Sequence, residues 1–216
     1  MTQPAATFEE VTGAILIGGQ SRRLGRDKVL LPYDGKPLAV HLHGILNSLF
    51  PHVLLIGHPR PELKAMGLTL IPDIVPDKGI LGGIYTALSI ATTPYVFITG
   101  ADMPFLTPSL ISMILGFRHS ADAVIPRGPR GLEPLCAAYS KSCADVMEKN
   151  LRGGTLKIMA ALENMTVLSP EVSPDNGEPD PFININYPED VEMLKGRTEG
   201  GGRRAKGEKE QFLKKR

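Results

Sequence analysis

The chain has 216 residues, 42% of them hydrophobic, and its 24 basic and 23 acidic residues give a formal net charge of +1. This length suits one domain with a large core. The two cysteines, Cys136 and Cys143, are too few for a disulfide framework and lack the Cys-x-x-Cys spacing of zinc and dithiol sites. No segment approaches the roughly 20 apolar residues of a membrane helix, and residues 1–10 show no signal-peptide pattern, so we predict a cytoplasmic protein without a membrane partner.

Apolar runs and helical periodicities alternate along the chain. Short apolar runs predict strands at residues 11–17, 52–56, 68–71, 95–99, 121–126 and 135–139. Apolar residues at helical spacing predict helices at residues 37–50, 82–91, 110–117, 141–150, 155–163 and 188–195. Strands that alternate with helices favour a mainly parallel sheet wrapped by helices, so we predict a three-layer, Rossmann-like α/β fold in a single domain over residues 11–195.

The two ends of the chain lie outside this pattern. Residues 1–10 are predicted to be a short N-terminal extension. Residues 196–216 contain eight Lys or Arg and three Asp or Glu, a composition that also suits an arm binding nucleic acid or a membrane surface. Because the segment is glycine-rich and has few apolar residues to bury, we favour a solvated, disordered tail and expect no nucleic-acid partner.

The loop after the first strand is the most informative stretch. Residues 18–28 read Gly-Gly-Gln-Ser-Arg-Arg-Leu-Gly-Arg-Asp-Lys, which matches neither a Walker A motif nor Gly-x-Gly-x-x-Gly. Paired glycines let backbone N–H groups approach an anion closely, and Arg22, Arg23 and Lys28 add cationic donors. We therefore predict a triphosphate-binding loop, against the alternative of an ordinary solvated basic loop, with Arg22 a weaker candidate than Arg23.

Two further polar segments follow buried strands. Asp102 lies three positions past the end of the strand at 95–99 and offers the hard oxygen ligand that Mg²⁺ prefers, although it could instead cap a turn near Thr107. Asp73 follows the strand at 68–71, where it could accept hydrogen bonds from guanine or serve as an ordinary turn residue. Because ligands bind at the carboxyl ends of parallel strands, we expect residues 18–28, 72–83 and 100–105 to share one crevice.

Taken together, the motifs resemble the molybdenum cofactor guanylyltransferase family. The resemblance spans residues 11 to about 195 and rests on four segments: Gly-Gly-x-Ser-Arg-Arg-x-Gly-x-Asp-Lys at 18–28, Asp-x-Gly-x-Leu-Gly-Gly at 77–83, Asp-Met-Pro at 102–104 and Asn-Ile-Asn at 184–186. It implies a nucleotidyltransferase fold. Some family members have an asparagine at the end of the second strand, where this chain has Ile56-Gly57, so a side-chain contact to the nucleotide is not expected there.

The resemblance also implies roles for individual residues. The nucleotide would be bound by Leu16, Ile17, Gly18, Gly19, Lys28, Asp73 and Asp102. Asp102 would also hold Mg²⁺, and Lys28, Asp102 and Arg23 would be the catalytic residues. Asn184, Asn186 and Arg130 are candidates for binding the acceptor.

The implied reaction transfers GMP from GTP to the terminal phosphate of molybdopterin, giving molybdopterin guanine dinucleotide and pyrophosphate. Molybdoenzymes and other cofactor-biosynthesis proteins are candidate partners. Three alternatives stay open because fold and phosphate motif do not fix the base or the acceptor: a molybdopterin cytidylyltransferase, a sugar-phosphate nucleotidyltransferase, and a nucleotide-binding protein without catalytic activity.

Overall fold

The computed structural model describes residues 7–18, 27–174, 178–186 and 190. A 3-10 turn spans Lys28–Leu30. The strands and helices are β1 (Val11–Ile17), β2 (Pro32–Tyr33), β3 (Lys36–Pro37), α1 (Leu38–Asn47), β4 (His52–Gly57), α2 (Pro61–Ala65), β5 (Leu70–Ile71), α3 (Gly79–Ile90), β6 (Tyr95–Gly100), α4 (Pro108–Leu115), β7 (Ala123–Val124), β8 (Arg127–Gly128), β9 (Gly131–Leu132), β10 (Cys136–Ser140), α5 (Cys143–Arg152), α6 (Ile158–Leu162) and β11 (Val167–Leu168).

Within the described part of the chain, seven strands form a central sheet in the order β11-β7-β10-β6-β1-β4-β5. Its pairs are parallel except those of β10, which runs antiparallel to both β6 and β7. The mainly parallel α/β sheet predicted from the sequence is therefore confirmed. None of the described helices is long and apolar enough to span a membrane.

Two hydrophobic clusters, one on each face of the sheet, give the fold its three layers. Alternate residues of β1 point to opposite faces, so Ile15 joins one cluster and Ala14 the other. Helices α1 and α4 cover the first face, and α3 and α5 cover the second. Every residue of β1 except Leu16 is buried, which is why this strand reads as a continuous apolar run in the sequence.

Several predicted boundaries were wrong. Helix α3 begins at Gly79, three residues before the predicted start, so residues 79–81, which were predicted as loop, lie within the helix. A Cβ on Gly83 would come within 3.3 Å of the Leu16 side chain, so the small residue lets α3 pack closely on β1. The strand predicted at 121–126 has only two residues, Ala123–Val124.

Short elements were missed by the sequence analysis. They are the hairpins β2–β3 and β8–β9, the helix α2 and the edge strand β11. Asp34 and Gly35 both adopt positive φ in the turn that joins β2 and β3, so this Asp-Gly pair was a turn signal available in the sequence. The predicted helix at 188–195, apart from residue 190, and the predicted tail at 196–216 lie outside the described residues, as do residues 1–6 of the N-terminal extension.

Candidate nucleotide-binding site

Three central strands end side by side at one edge of the sheet. Leu16 near the end of β1 pairs with Gly100 of β6, and Ile17 pairs with Gly57 of β4. The amide of Ala101 donates to the Leu16 carbonyl oxygen at 3.1 Å, which holds the chain after β6 against the end of β1. The segments after β1, β4 and β6 therefore meet at this edge of the sheet.

A lysine–carboxylate–amide cluster lies at this edge. The Lys28 ammonium donates to Asp102 Oδ2 at 3.0 Å and to Asn186 Oδ1 at 2.7 Å. The Lys28 and Asp102 side chains are 22% and 24% exposed, so solvent screens their ion pair only in part. Asn186 was predicted as an acceptor-binding residue from its own short motif, and the structure places it directly on Lys28.

The backbone around Asp102 fixes its carboxylate. A Cβ on Gly100 would lie 2.8 Å from Asp102 Oδ1, so the carboxylate folds back over a glycine that leaves room for it. The Ile185 amide donates to the Asp102 carbonyl oxygen at 2.9 Å, and the Asn186 amide donates to the fully buried Asp190 at 2.9 Å. These bonds fasten the C-terminal segment to the chain after β6 and hold Asn186 beside Asp102.

Lys28 is presented by an anchored turn. The Asp27 side chain accepts a hydrogen bond from the Val29 amide and so caps the 3-10 turn Lys28–Leu30. Val29 and Leu31 are almost completely buried in the first hydrophobic cluster, at 3% and 4% exposure. The turn is thus fixed by apolar burial on one side while the lysine side chain reaches Asp102 on the other.

Arg60, which the sequence analysis did not single out, lies next to this turn. It follows β4 and binds three groups: its Nε donates to Asp27 Oδ2, its Nη2 to the Gly18 carbonyl oxygen at 3.2 Å, and its Nη1 to the His58 carbonyl oxygen at 3.0 Å. Its side chain is 11% exposed. An arginine just past the end of a strand adjacent to β1 was the available signal, since such a position faces the same sheet edge as the phosphate-loop motif.

Asp73 has an unsatisfied oxygen. Among the described residues, its Oδ1 is buried without a hydrogen-bond partner. Burial raises the pKa of Asp73, and the nearby His58 partly offsets this rise. The following residue is held in place because the Ile74 amide donates to Thr86 Oγ1 of α3 at 3.0 Å. A buried acceptor without a donor is costly in the protein alone, so Asp73 is suited to a ligand that brings N–H groups.

The end of β4 has no room for a side chain. Gly57 has φ +152°, and a Cβ there would lie 2.3 Å from the Ile17 carbonyl oxygen. Close contact between the ends of β1 and β4 therefore requires glycine at this position. Only backbone groups of residue 57 can take part in binding.

Of the remaining predicted site residues, the structure describes Arg130 and Asn184 but not Arg23 and Gly19. Arg130 Nη2 donates to the Phe182 carbonyl oxygen at 2.5 Å, and Nη1 lies 3.3 Å from Asp180, so this arginine ties the β8–β9 hairpin to the C-terminal segment. Asn184 is half-buried on the same segment. Arg23 and Gly19 lie outside the described residues.

A mainly parallel α/β sheet with a lysine–carboxylate pair at its carboxyl edge suits a nucleotide-binding protein. Residues 13–165 match the family model of the MobA-like NTP transferase domain. The chain belongs to this family, and the resemblance noted in the sequence is confirmed.

Relatives extend the similarity over most of the chain. A probable molybdenum cofactor guanylyltransferase of Pyrococcus furiosus is 36% identical over 194 residues, covering 86% of this chain and 96% of its own. The molybdenum cofactor guanylyltransferase of Desulfosudis oleivorans is 32% identical over 202 residues, covering 90% and 98%. Among solved structures, the molybdopterin-guanine dinucleotide biosynthesis protein A of Archaeoglobus fulgidus superposes with a TM-score of 0.72 at 26% identity, covering 86% of this chain and 97% of its own.

Proposed function

We propose that this protein transfers GMP from GTP to the terminal phosphate of molybdopterin, forming molybdopterin guanine dinucleotide and releasing pyrophosphate. The observation that carries the proposal is the Lys28–Asp102–Asn186 cluster at the carboxyl edge of the sheet. Relatives named for guanylyl transfer to the molybdenum cofactor match the chain over more than four fifths of its length, which supports the same substrates here. Cytoplasmic biosynthesis of the cofactor fits this proposal.

The chemistry of Asp102 fits a magnesium ion. Among the described residues, no group of three or more His, Cys, Asp or Glu could hold a metal by itself. Mg²⁺ commonly binds one or two carboxylates and completes its shell with substrate phosphates and water, so the single partly buried carboxylate of Asp102 is a suitable ligand. When bound, Mg²⁺ would supply positive charge to the phosphate oxygens.

The chain itself would contribute positioning and charge. An oxygen of the molybdopterin phosphate forms a bond to the α-phosphorus of GTP, and the bond between that phosphorus and the pyrophosphate oxygen breaks. The attacking phosphate is already anionic at neutral pH, so no general base is needed. Of the three N–H donors of the Lys28 ammonium, Asp102 and Asn186 take two in the described structure, which leaves the third for a phosphate oxygen. Arg23 is proposed to hold the departing pyrophosphate together with Lys28.

Asp73 is proposed to select the base. Guanine offers N1–H and N2–H donors on one edge, whereas adenine does not present the same pair. A carboxylate with a buried oxygen and no donor among the described residues suits that edge. Backbone groups of Leu16, Ile17 and Gly18, at the end of β1, are proposed to contact the nucleotide beside it.

The acceptor side is proposed to involve Asn184, Asn186 and Arg130. Asn186 already contacts Lys28, so a molybdopterin phosphate bound there would lie next to the phosphate-binding residues. Arg130 would have to exchange its contact with Asp180 for the acceptor. Molybdoenzymes or other cofactor-biosynthesis proteins are the proposed recipients of the product.

Calorimetric titration with GTP, CTP and ATP, each with Mg²⁺, tests the nucleotide assignment in the wild type, in Asp102→Ala and in Asp145→Ala. Asp145 is an exposed aspartate in the first turn of α5 and serves as the matched control. Selective GTP binding that only Asp102→Ala weakens, together with pyrophosphate release on addition of molybdopterin, is the expected result. Preference for CTP would indicate a cytidylyltransferase. Pyrophosphate release only on addition of a sugar phosphate would indicate a sugar-phosphate nucleotidyltransferase, and nucleotide binding without pyrophosphate release would indicate a non-catalytic protein.

A further inference from the structure

Arg60 connects Gly18 and Asp27, two described residues near the two ends of the phosphate-loop sequence. Its guanidinium binds the carbonyl oxygen of Gly18 on one side and the carboxylate of Asp27 on the other, while residues 19–26 between them lie outside the described part of the chain. The third contact, to the His58 carbonyl oxygen, fastens the same guanidinium to the chain after β4. One largely buried cation thus fixes Gly18 and Asp27 relative to each other.

The Asp27 carboxylate connects Arg60 to the turn that carries Lys28. Asp27 Oδ2 accepts from Arg60, and Asp27 Oδ1 accepts from the Val29 amide at 3.4 Å. Because the two oxygens belong to one rigid group, the guanidinium sets the orientation in which the carboxylate caps the turn. That turn carries Lys28, whose ammonium lies on Asp102. Arg60 is therefore connected, through the Asp27 carboxylate, to the turn that carries Lys28.

A second arginine in this chain makes nearly the same contacts at the opposite edge of the sheet. Arg118 donates through Nε and Nη2 to Glu10, directly before β1, and through Nη1 to the Leu115 carbonyl oxygen. Its side chain is 19% exposed, close to the 11% of Arg60. The two arginines thus match in chemistry and burial, and they differ in which end of β1 they adjoin.

We propose that Arg60 is a positioning residue for the transfer reaction: by holding Asp27 and the Gly18 carbonyl oxygen, it directs the Lys28 ammonium toward the nucleotide phosphates. The guanidinium forms a planar fork that reaches a carboxylate and a carbonyl at once, which the single ammonium of a lysine does less well. The inference rests on the proposed function for its catalytic readout, but its binding readout needs only a nucleoside triphosphate.

The test compares Arg60→Met, Arg60→Lys and Asp27→Asn with the matched control Arg118→Met. For each variant, the Kd of Mg-GTP, the KM and kcat with GTP, and the Tm are measured. We expect Arg60→Met to lower kcat/KM for GTP by about 10- to 100-fold, as expected when a binding group is displaced, with a parallel rise in Kd. Arg60→Lys should recover part of this loss. Arg118→Met should lower the Tm to a similar extent and leave the Kd and KM for GTP unchanged.

The coupling to Asp27 gives an independent check. If Arg60 acts through Asp27, the Kd of the double variant Arg60→Met/Asp27→Asn for Mg-GTP should be about the same as the higher of the two single-variant Kd values. An Arg60→Met protein that loses no more GTP affinity than Arg118→Met would overturn the proposal, as would fully additive effects of Arg60 and Asp27. Should Arg60→Met fail to fold, Arg60→Lys and Asp27→Asn answer the same question. A wild type that binds Mg-GTP but transfers no GMP refutes the proposed function alone, whereas one that binds no nucleotide overturns both.

Discussion

The Lys28 ammonium forms an ion pair with Asp102, the carboxylate that is proposed to bind the metal. Removal of the Lys28 charge should therefore strengthen metal binding and weaken nucleotide binding. The Lys28 ammonium lies 3.0 Å from Asp102 Oδ2. A divalent cation that approaches this carboxylate without a nucleotide meets a positive charge already in place. We expect Lys28→Met to bind the metal alone more tightly than the wild type, and to bind Mg-GTP more weakly because the phosphates lose a cationic donor.

The size of the effect follows from the geometry of the ion pair. At 3.0 Å, two unit charges interact by about 5.5 kcal/mol if the effective dielectric constant is about 20. Fully exposed pairs contribute only about 0.2–1 kcal/mol. With side chains 22% and 24% exposed, the Lys28–Asp102 pair falls between these limits, so we expect about 1–3 kcal/mol. This corresponds to an increase of about 5- to 150-fold in metal affinity for Lys28→Met.

Manganese is a suitable probe because its free ion gives a strong electron paramagnetic resonance signal. Titration of Mn²⁺ without nucleotide would be compared among the wild type, Lys28→Met, Asp102→Asn and Lys36→Met, the last removing the same charge from an exposed position on β3. Asp102→Asn should abolish the binding that Lys28→Met enhances. If Lys28→Met binds Mn²⁺ no more tightly than the wild type, or if Lys36→Met gives the same gain, the reasoning is refuted.

Three further predictions concern the rest of the chain. Gly57→Ala should lower the free energy of unfolding, measured in urea, by about 2–4 kcal/mol, because Gly57 has positive φ and a Cβ there would lie 2.3 Å from the Ile17 carbonyl oxygen. Gly44→Ala, in α1 with open space around it, should raise the free energy of unfolding by up to about 1 kcal/mol, and equal effects of the two variants would contradict this account. Burial raises the pKa of Asp73 above 3.8, so the charged carboxylate lowers the stability of the folded protein as the pH rises. Asp73→Asn should therefore have a higher Tm than the wild type at pH 7, and this difference should disappear below pH 3.8, whereas its affinity for GTP should fall by about tenfold. A lower Tm than the wild type at pH 7 would count against this reasoning. Deletion of residues 197–216 should leave GMP transfer unchanged, and a large loss of activity would show that the tail takes part.

The central strands were predictable because most of their residues are buried. β1 and β6 are buried along nearly their whole length and β4 in its second half, so most positions are apolar, and the run in the sequence marks the strand directly. Lys28 and Asp102 could be singled out because they follow β1 and β6, and Asp73 because it follows the short apolar run at 68–71; ligands of parallel sheets bind where such strands end. The chemistry of each residue was thus readable from its type and its place after a strand.

The direction of β10 shows what a strand pattern does not contain. Alternating or continuous apolar residues look the same whichever way the neighbouring strand runs, so the sequence suggested a strand but not its antiparallel pairing with β6 and β7. The connection between β7 and β10 contains the β8–β9 hairpin instead of a crossover helix, and parallel neighbours require such a crossover. Two-residue strands such as β7 and β11 are too short to show any period at all.

The sequence by itself therefore determined the class of fold, the order of its main elements and the residue types at the phosphate end of the site. These features depend on burial and on local spacing, and both are visible in the pattern of apolar and polar residues along the chain. Only the tertiary structure decided which of those residues touch. Asn186 lies 158 positions from the lysine it binds, and Arg60 lies 33 positions from Asp27 and 42 from Gly18. Contacts at such separations depend on how the strands are ordered in the sheet and where the loops close, which no local pattern of residues encodes.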